Sequence, residues 1–72
     1  MIKALKMKYE SEIQTALTAL HIIMNHPTAV AEHQTGKLLE DADQCVQIIA
    51  DAEDKLDVLK RYEDEIYKET YH

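Results

Sequence analysis

Apolar side chains recur along this chain at steps of three and four, and the pattern breaks in only two places. Ile2, Leu5, Tyr9, Ile13, Ala16, Leu17, Leu20, Ile23 and Met24 keep one face of an α-helix apolar. The stretch Asn25-His26-Pro27-Thr28 ends that run. Pro27 clashes with the turn before it and biases His26 away from helical angles, so the first helix is predicted over about residues 2–25. After Thr35-Gly36 a stricter pattern begins: Leu38, Ala42, Cys45, Ile49, Ala52, Leu56, Leu59, Glu63, Ile66 and Thr70 alternate steps of four and three. That is a heptad repeat, and it predicts a second helix over about residues 37–70 with Thr35 as its N-cap. A connector of about residues 26–36 remains, in which Thr28 can cap a short turn running to Glu32.

Composition narrows the class. With 46% apolar residues, one Gly and one Pro, the chain is too apolar for disorder and too poor in turn residues for a sandwich or barrel. The expected fold is all-α: a single domain over residues 1–72, formed as an antiparallel, coiled-coil-like two-helix hairpin. So short a connector pairs residues whose numbers sum to about 63, such as Leu5 with Leu59, Ile13 with Ile49, Leu17 with Val46 and Ile23 with Leu39. In that register Lys3, Lys6 and Lys8 come beside Asp51, Glu53, Asp54 and Asp57.

One seam is little to hold such a chain. Ordering each residue costs on the order of 1.5 kcal/mol, and a hairpin buries apolar area along a single contact. The second helix also carries apolar residues beside its seam, and its end overhangs the first helix. The expectation is a homodimer or higher homo-oligomer, most simply a four-helix bundle, with Leu39, Val46, Ile49, Leu56, Leu59, Tyr62, Ile66, Tyr67 and Tyr71 at the interface. Glu63, polar within the seam, either sets register or marks where the helices splay.

Candidate chemistry changes this picture little. The four histidines lack the i,i+3 or i,i+4 spacing of helical metal ligands, so His26 and His33 are read as fixing the connector beside Pro27 and Glu32. No metal site or cofactor is expected. Ser11 and Cys45 stand in no nucleophile motif and no Gly-rich loop is present, so no catalytic residue and no enzyme is expected. Cys45 lies within the apolar stripe and is read as a buried thiol. A net charge of −6 argues against nucleic acid and anionic membranes as direct partners, and admits a protein with a basic surface. Asp51, Glu53, Asp54 and Asp57 are the candidate acidic face. Eleven acids against five bases from Lys37 to His72 also raise nucleic-acid mimicry, although Lys55, Lys60, Arg61 and Lys68 interrupt the track. No apolar run is long enough to span a membrane and no leader pattern stands at the start, so a cytoplasmic protein is expected.

The stretch His26-Pro27-Thr28-Ala29-Val30-Ala31-Glu32-His33, followed by Ile48-Ile49-Ala50-Asp51-Ala52-Glu53-Asp54-Lys55-Leu56, resembles a family of short, uncharacterised tailed-bacteriophage proteins over roughly residues 20–60. That family has an N-P-x-G-x-G-E-H-like connector and an acidic helix with an I-A-x-A-E-D-K-L-like segment. Pro27, Glu32 and His33 match the connector, whereas His26, Ala29 and Ala31 stand where the family has Asn, Gly and Gly. The resemblance implies a virus-encoded protein acting in an infected bacterium, in host takeover, anti-defence or assembly.

The functional expectation is a non-catalytic, self-associating interaction protein that binds or modulates a host or viral protein. One alternative is a small-ligand binder or sequestering oligomer with a site between protomers near His26, Glu32 and His33. The other is a structural coiled-coil adaptor.

Overall fold

The computed structural model describes residues 1–25 and 35–71, with side chains described for residues 1–25 and 36–66. It is a helical hairpin of two helices, α1 (Ile2–Met24) and α2 (Thr35–Tyr71), packed against each other. The molecule is a rod of 59 × 15 × 13 Å.

No Gly or Pro interrupts α1, and its backbone ladder opens with the Leu5 N–H bonded to the Met1 carbonyl at 3.0 Å. Asn25 ends it with φ −106° and ψ 15°. Carbonyls in a last turn lack helical partners, and Asn25 supplies two donors to one of them. Its backbone N–H reaches the His21 carbonyl at 3.0 Å and its side-chain Nδ2 reaches the same oxygen at 2.9 Å. The amide also lies 3.2 Å from His21 Nδ1. This clamp stops the helix at the residue where the approaching Pro27 predicts a stop.

The second helix starts at Thr35, two residues ahead of the position expected for its first turn. Gly36 is therefore helical rather than part of a cap, and it has neither positive φ nor any atom within 4 Å of where a Cβ would stand. Nothing requires glycine there. Gly36→Ala is expected to stabilise the protein by about 0.4–1 kcal/mol, by restricting the unfolded chain. A urea titration should show a higher midpoint at unchanged slope.

The heptad positions of α2 form the seam as the spacing predicts. Ala42, Cys45, Ala52 and Leu59 are buried, and Leu38, Ile49, Leu56, Glu63 and Ile66 are half-buried. From α1, Ile2 and Ala16 are buried, while Leu5, Tyr9, Ile13, Leu20 and Ile23 are half-buried. Four of the six buried residues are Ala or Cys, so the middle of the seam is lined by small side chains that let the helices approach closely. The Cys45 thiol is free and buried.

Register near the middle agrees with the pairing read from the spacing, since Lys55 Nζ sits 5.4 Å from the centre of the Tyr9 ring. The charge pairing differs from expectation. Lys6 Nζ donates to Glu63 Oε1 at 3.0 Å across the helices, whereas Lys8 lies 3.9 Å from Glu12 on its own helix and Arg61 lies 2.8 Å from Asp57. Side chains on a helix lean toward its N-terminus. In an antiparallel pair the leans oppose, so Lys6 and Glu63 converge although their backbones stand several residues apart in level. Glu63 is thus tied across the two helices by an ion pair; with both side chains about a third exposed, it contributes no more than about 1 kcal/mol.

Candidate interaction surface

The hairpin leaves two flanks, one on each side of the seam. On the first, Ser11, Glu12, Thr15, Ala16 and Ala19 of α1 line an open groove with Cys45 and Ile48 of α2, about 450 Å³ in volume. Heptad spacing extends this flank along Asp41, Ile48, Lys55 and Tyr62 of α2 and along Lys8, Thr15 and Ile22 of α1. Apolar and charged groups alternate along it. The Tyr9 ring has the ammonium groups of both Lys55 and Lys8 near it, the latter 5.8 Å from its centre. Arg61 lies 6.0 Å from the Tyr62 ring, at the outer limit of a cation–π contact.

The opposite flank is more uniform near the connector. Leu17, Leu20 and Met24 border one concavity, and Leu17 and Met24 are exposed. On α2 the corresponding heptad column holds Leu39, 72% exposed, and Val46, 52% exposed. Leu17 and Met24 fit the helical stripe of α1, yet the structure places them one position outside the seam residues Ala16 and Ile23. The readable signal was that both stand seven residues apart, as Leu39 and Val46 do.

Among the residues named as an oligomer interface, Leu39, Val46 and Tyr62 are exposed. Ile49, Leu56, Leu59 and Ile66 line the seam within the chain. The side chains of Tyr67 and Tyr71 lie outside the described residues, as do His26, Pro27, Glu32 and His33 of the connector and the short turn from Thr28.

The acidic residues Asp51, Glu53, Asp54 and Asp57 are all exposed and spread around the outer half of α2 rather than along one line. Asp51 accepts a hydrogen bond from Gln47 Nε2 at 3.0 Å, and Asp57 pairs with Arg61. Seven residues beyond Glu53 and Asp54 stand Lys60 and Arg61, so those two columns run into a base two turns later, whereas Asp57 is followed by Asp64. Among the described residues no group of three His, Cys, Asp or Glu side chains is arranged to hold a metal ion. No helix there is long and apolar enough to cross a membrane.

Seam and flanks together define a two-helix hairpin with a thin core and an apolar flank. No protein-family model, curated protein or solved structure matches the chain.

Proposed function

We propose that this protein is a non-catalytic interaction module that self-associates through surface its own hairpin leaves uncovered. In that state it binds a protein partner of basic surface with the acidic outer half of α2. Surface area carries the reading. The chain exposes 6010 Å², whereas a compact monomer of 8.3 kDa exposes about 4,600 Å². The surplus is about 1,400 Å², and a stable interface of standard size removes about 800 Å² from each partner. One docking event of that size would remove more than half of the surplus.

The core supports the same reading. Apart from Ile2 and Leu59, the buried side chains are Ala and Cys, and they remove little apolar area each. On the resemblance of residues 20–60 to short tailed-phage proteins, we further read the chain as phage-encoded, with a host or viral protein as its target in the bacterial cytoplasm.

Light scattering with circular dichroism at each concentration tests self-association. The expected result is a helical species of twice the chain mass that persists on dilution to low micromolar concentration. A fully helical species of single-chain mass throughout would overturn it.

A further inference from the structure

We propose, resting on the basic-partner part of that reading, that the flank of Leu17, Leu20, Met24, Leu39 and Val46 seats one amphipathic helix of a foreign protein, apolar along one stripe and bearing lysine or arginine at its margins. Laid along the furrow between α1 and α2, that helix completes a three-helix bundle. Charge on the flank carries the choice. The Tyr9–Lys55 contact and the groove shared by Ala19 and Cys45 put at one level the α1 and α2 residues whose numbers sum to about 64. The half of the flank toward the connector therefore runs from Glu10 and Glu53, level with each other, up to Met24 and Leu39. Heptad spacing places Glu10 in the column of Leu17 and Met24, Glu53 in the column of Leu39 and Val46, and Asp43 in the next column outward on α2. All three acids are exposed, and these columns hold no Lys or Arg between Glu10 and Met24 or between Leu39 and Glu53. Among the described residues none of the three has an ion-pair partner, whereas on the other flank Glu12 lies 3.9 Å from Lys8 and Asp41 lies 3.9 Å from Lys37. The imidazole of this half, His21, is engaged with the Asn25 amide at 3.2 Å. The patch is thus apolar at its centre and acidic at its margins, with its negative charge unanswered within the hairpin.

The same acids turn a second copy away from this seat. A two-fold axis that lays the patch on itself brings the three carboxylates of one chain against the three of the other. An axis across the middle of the rod instead sets the patch on the half toward the chain ends. There Lys3, Lys6 and Lys60 are interleaved with Asp57, Glu63 and Asp64, and Met7 is the exposed large apolar side chain. Neither arrangement offers apolar cover and positive charge together. Self-association of the hairpin then belongs to the other flank.

The patch also sets the size of its occupant. From the level of Ile13 to that of Met24 is about 17 Å, the length of three helical turns. Asp43 and Glu53 stand ten residues apart on one helix, so they call for two bases about 15 Å apart along the margin that meets α2. Between those bases the stripe has to cover Leu39, Met24 and Val46, which are 72%, 67% and 52% exposed.

The test uses the full chain and two synthetic helical peptides of about 14 residues with one leucine stripe. They are identical except that one carries lysine and the other glutamate at the margins, and fluorescence anisotropy reads their binding. The lysine peptide is expected to bind at least about tenfold more tightly than the glutamate peptide. Asp43→Lys is expected to weaken the lysine peptide by about tenfold, and Leu39→Ala by a similar factor. Asp54→Lys makes the same change of net charge on the exposed back of α2, and should leave binding within about threefold. Circular dichroism should show that each variant keeps its helices. Equal affinity for the two peptides, or no binding of the lysine peptide, would overturn the proposal. Equal losses in Asp54→Lys and Asp43→Lys would overturn this seat while leaving a basic partner on the outer face of α2. Light scattering of the saturated complex gives the third readout. A dimer split into single chains by the peptide would hand the flank to a second copy and overturn the foreign occupant, whereas an unchanged oligomeric state with peptide bound supports it. Single-chain mass at every concentration with the peptide still bound would overturn self-association and leave this docking standing.

Discussion

Ala52→Asp is expected to abolish the folded hairpin at 25 °C. Ala52 is 1% exposed, the most deeply buried residue of the described seam. Its small side chain is enclosed in the seam between the two helices, so a carboxylate there would be buried in place of a methyl group. The α1 residues at that level include Glu12, whose own carboxylate is half-buried. An unpaired charge in such a place costs on the order of 4 kcal/mol. A chain of this length has a total stability of roughly 4–11 kcal/mol, and a rod with one seam belongs at the low end. Ala50→Asp provides the comparison, because Ala50 is exposed on the same helix and its substitution costs only the propensity difference of about 0.7 kcal/mol. Far-UV circular dichroism of the two variants at one protein concentration separates burial from propensity. Native helicity in Ala52→Asp with a urea midpoint equal to that of Ala50→Asp would refute the burial of this position.

The second large effect is expected at Leu59. It is 9% exposed and, with Ile2, one of only two large side chains among the buried residues described. Leu59→Ala removes its transfer energy and leaves a gap that α1 closes only in part, which costs 2–5 kcal/mol in cores generally. Here both sides of the seam open to solvent, so relaxation is easier and the expected loss is about 2 kcal/mol. For a chain of this size that corresponds to a fall in Tm of about 8–16 °C. Val58→Ala, one position around the helix and exposed, should cost about 0.5 kcal/mol. Comparing all three proteins at the same molarity keeps any contribution of association equal among them. Equal losses at positions 58 and 59 would mean that the seam does not run along the heptad.

A rod only 15 Å across has no interior away from its seam, so side chains outside the heptad columns gain little from the hairpin itself. Substitution in the seam therefore acts on folding, and substitution at exposed Leu39 or Val46 should leave the hairpin's own stability nearly unchanged. The two classes of residue alternate along α2 within a single turn, Leu38 half-buried beside Leu39 exposed, and Cys45 buried beside Val46 exposed.

By itself the sequence determined the two helices, the break at Asn25 and the identity of the α2 seam. Each follows from local rules: helical spacing, the chemistry of proline, and the heptad's return to one face every seven residues. The tertiary structure alone decided how the helices use their neighbours. Lys6 pairs with Glu63 because side chains lean in opposite senses on antiparallel helices, a direction that spacing does not carry. Leu17 and Met24 leave the seam because Ala16 and Ile23 occupy it, and a wide apolar stripe does not say which of its residues a partner helix will cover. Lys55 settles over Tyr9 for a similar reason, since the contact exists only once the register is set. Periodicity fixes angles around one helix axis, and only packing fixes the level and rotation of one axis against another.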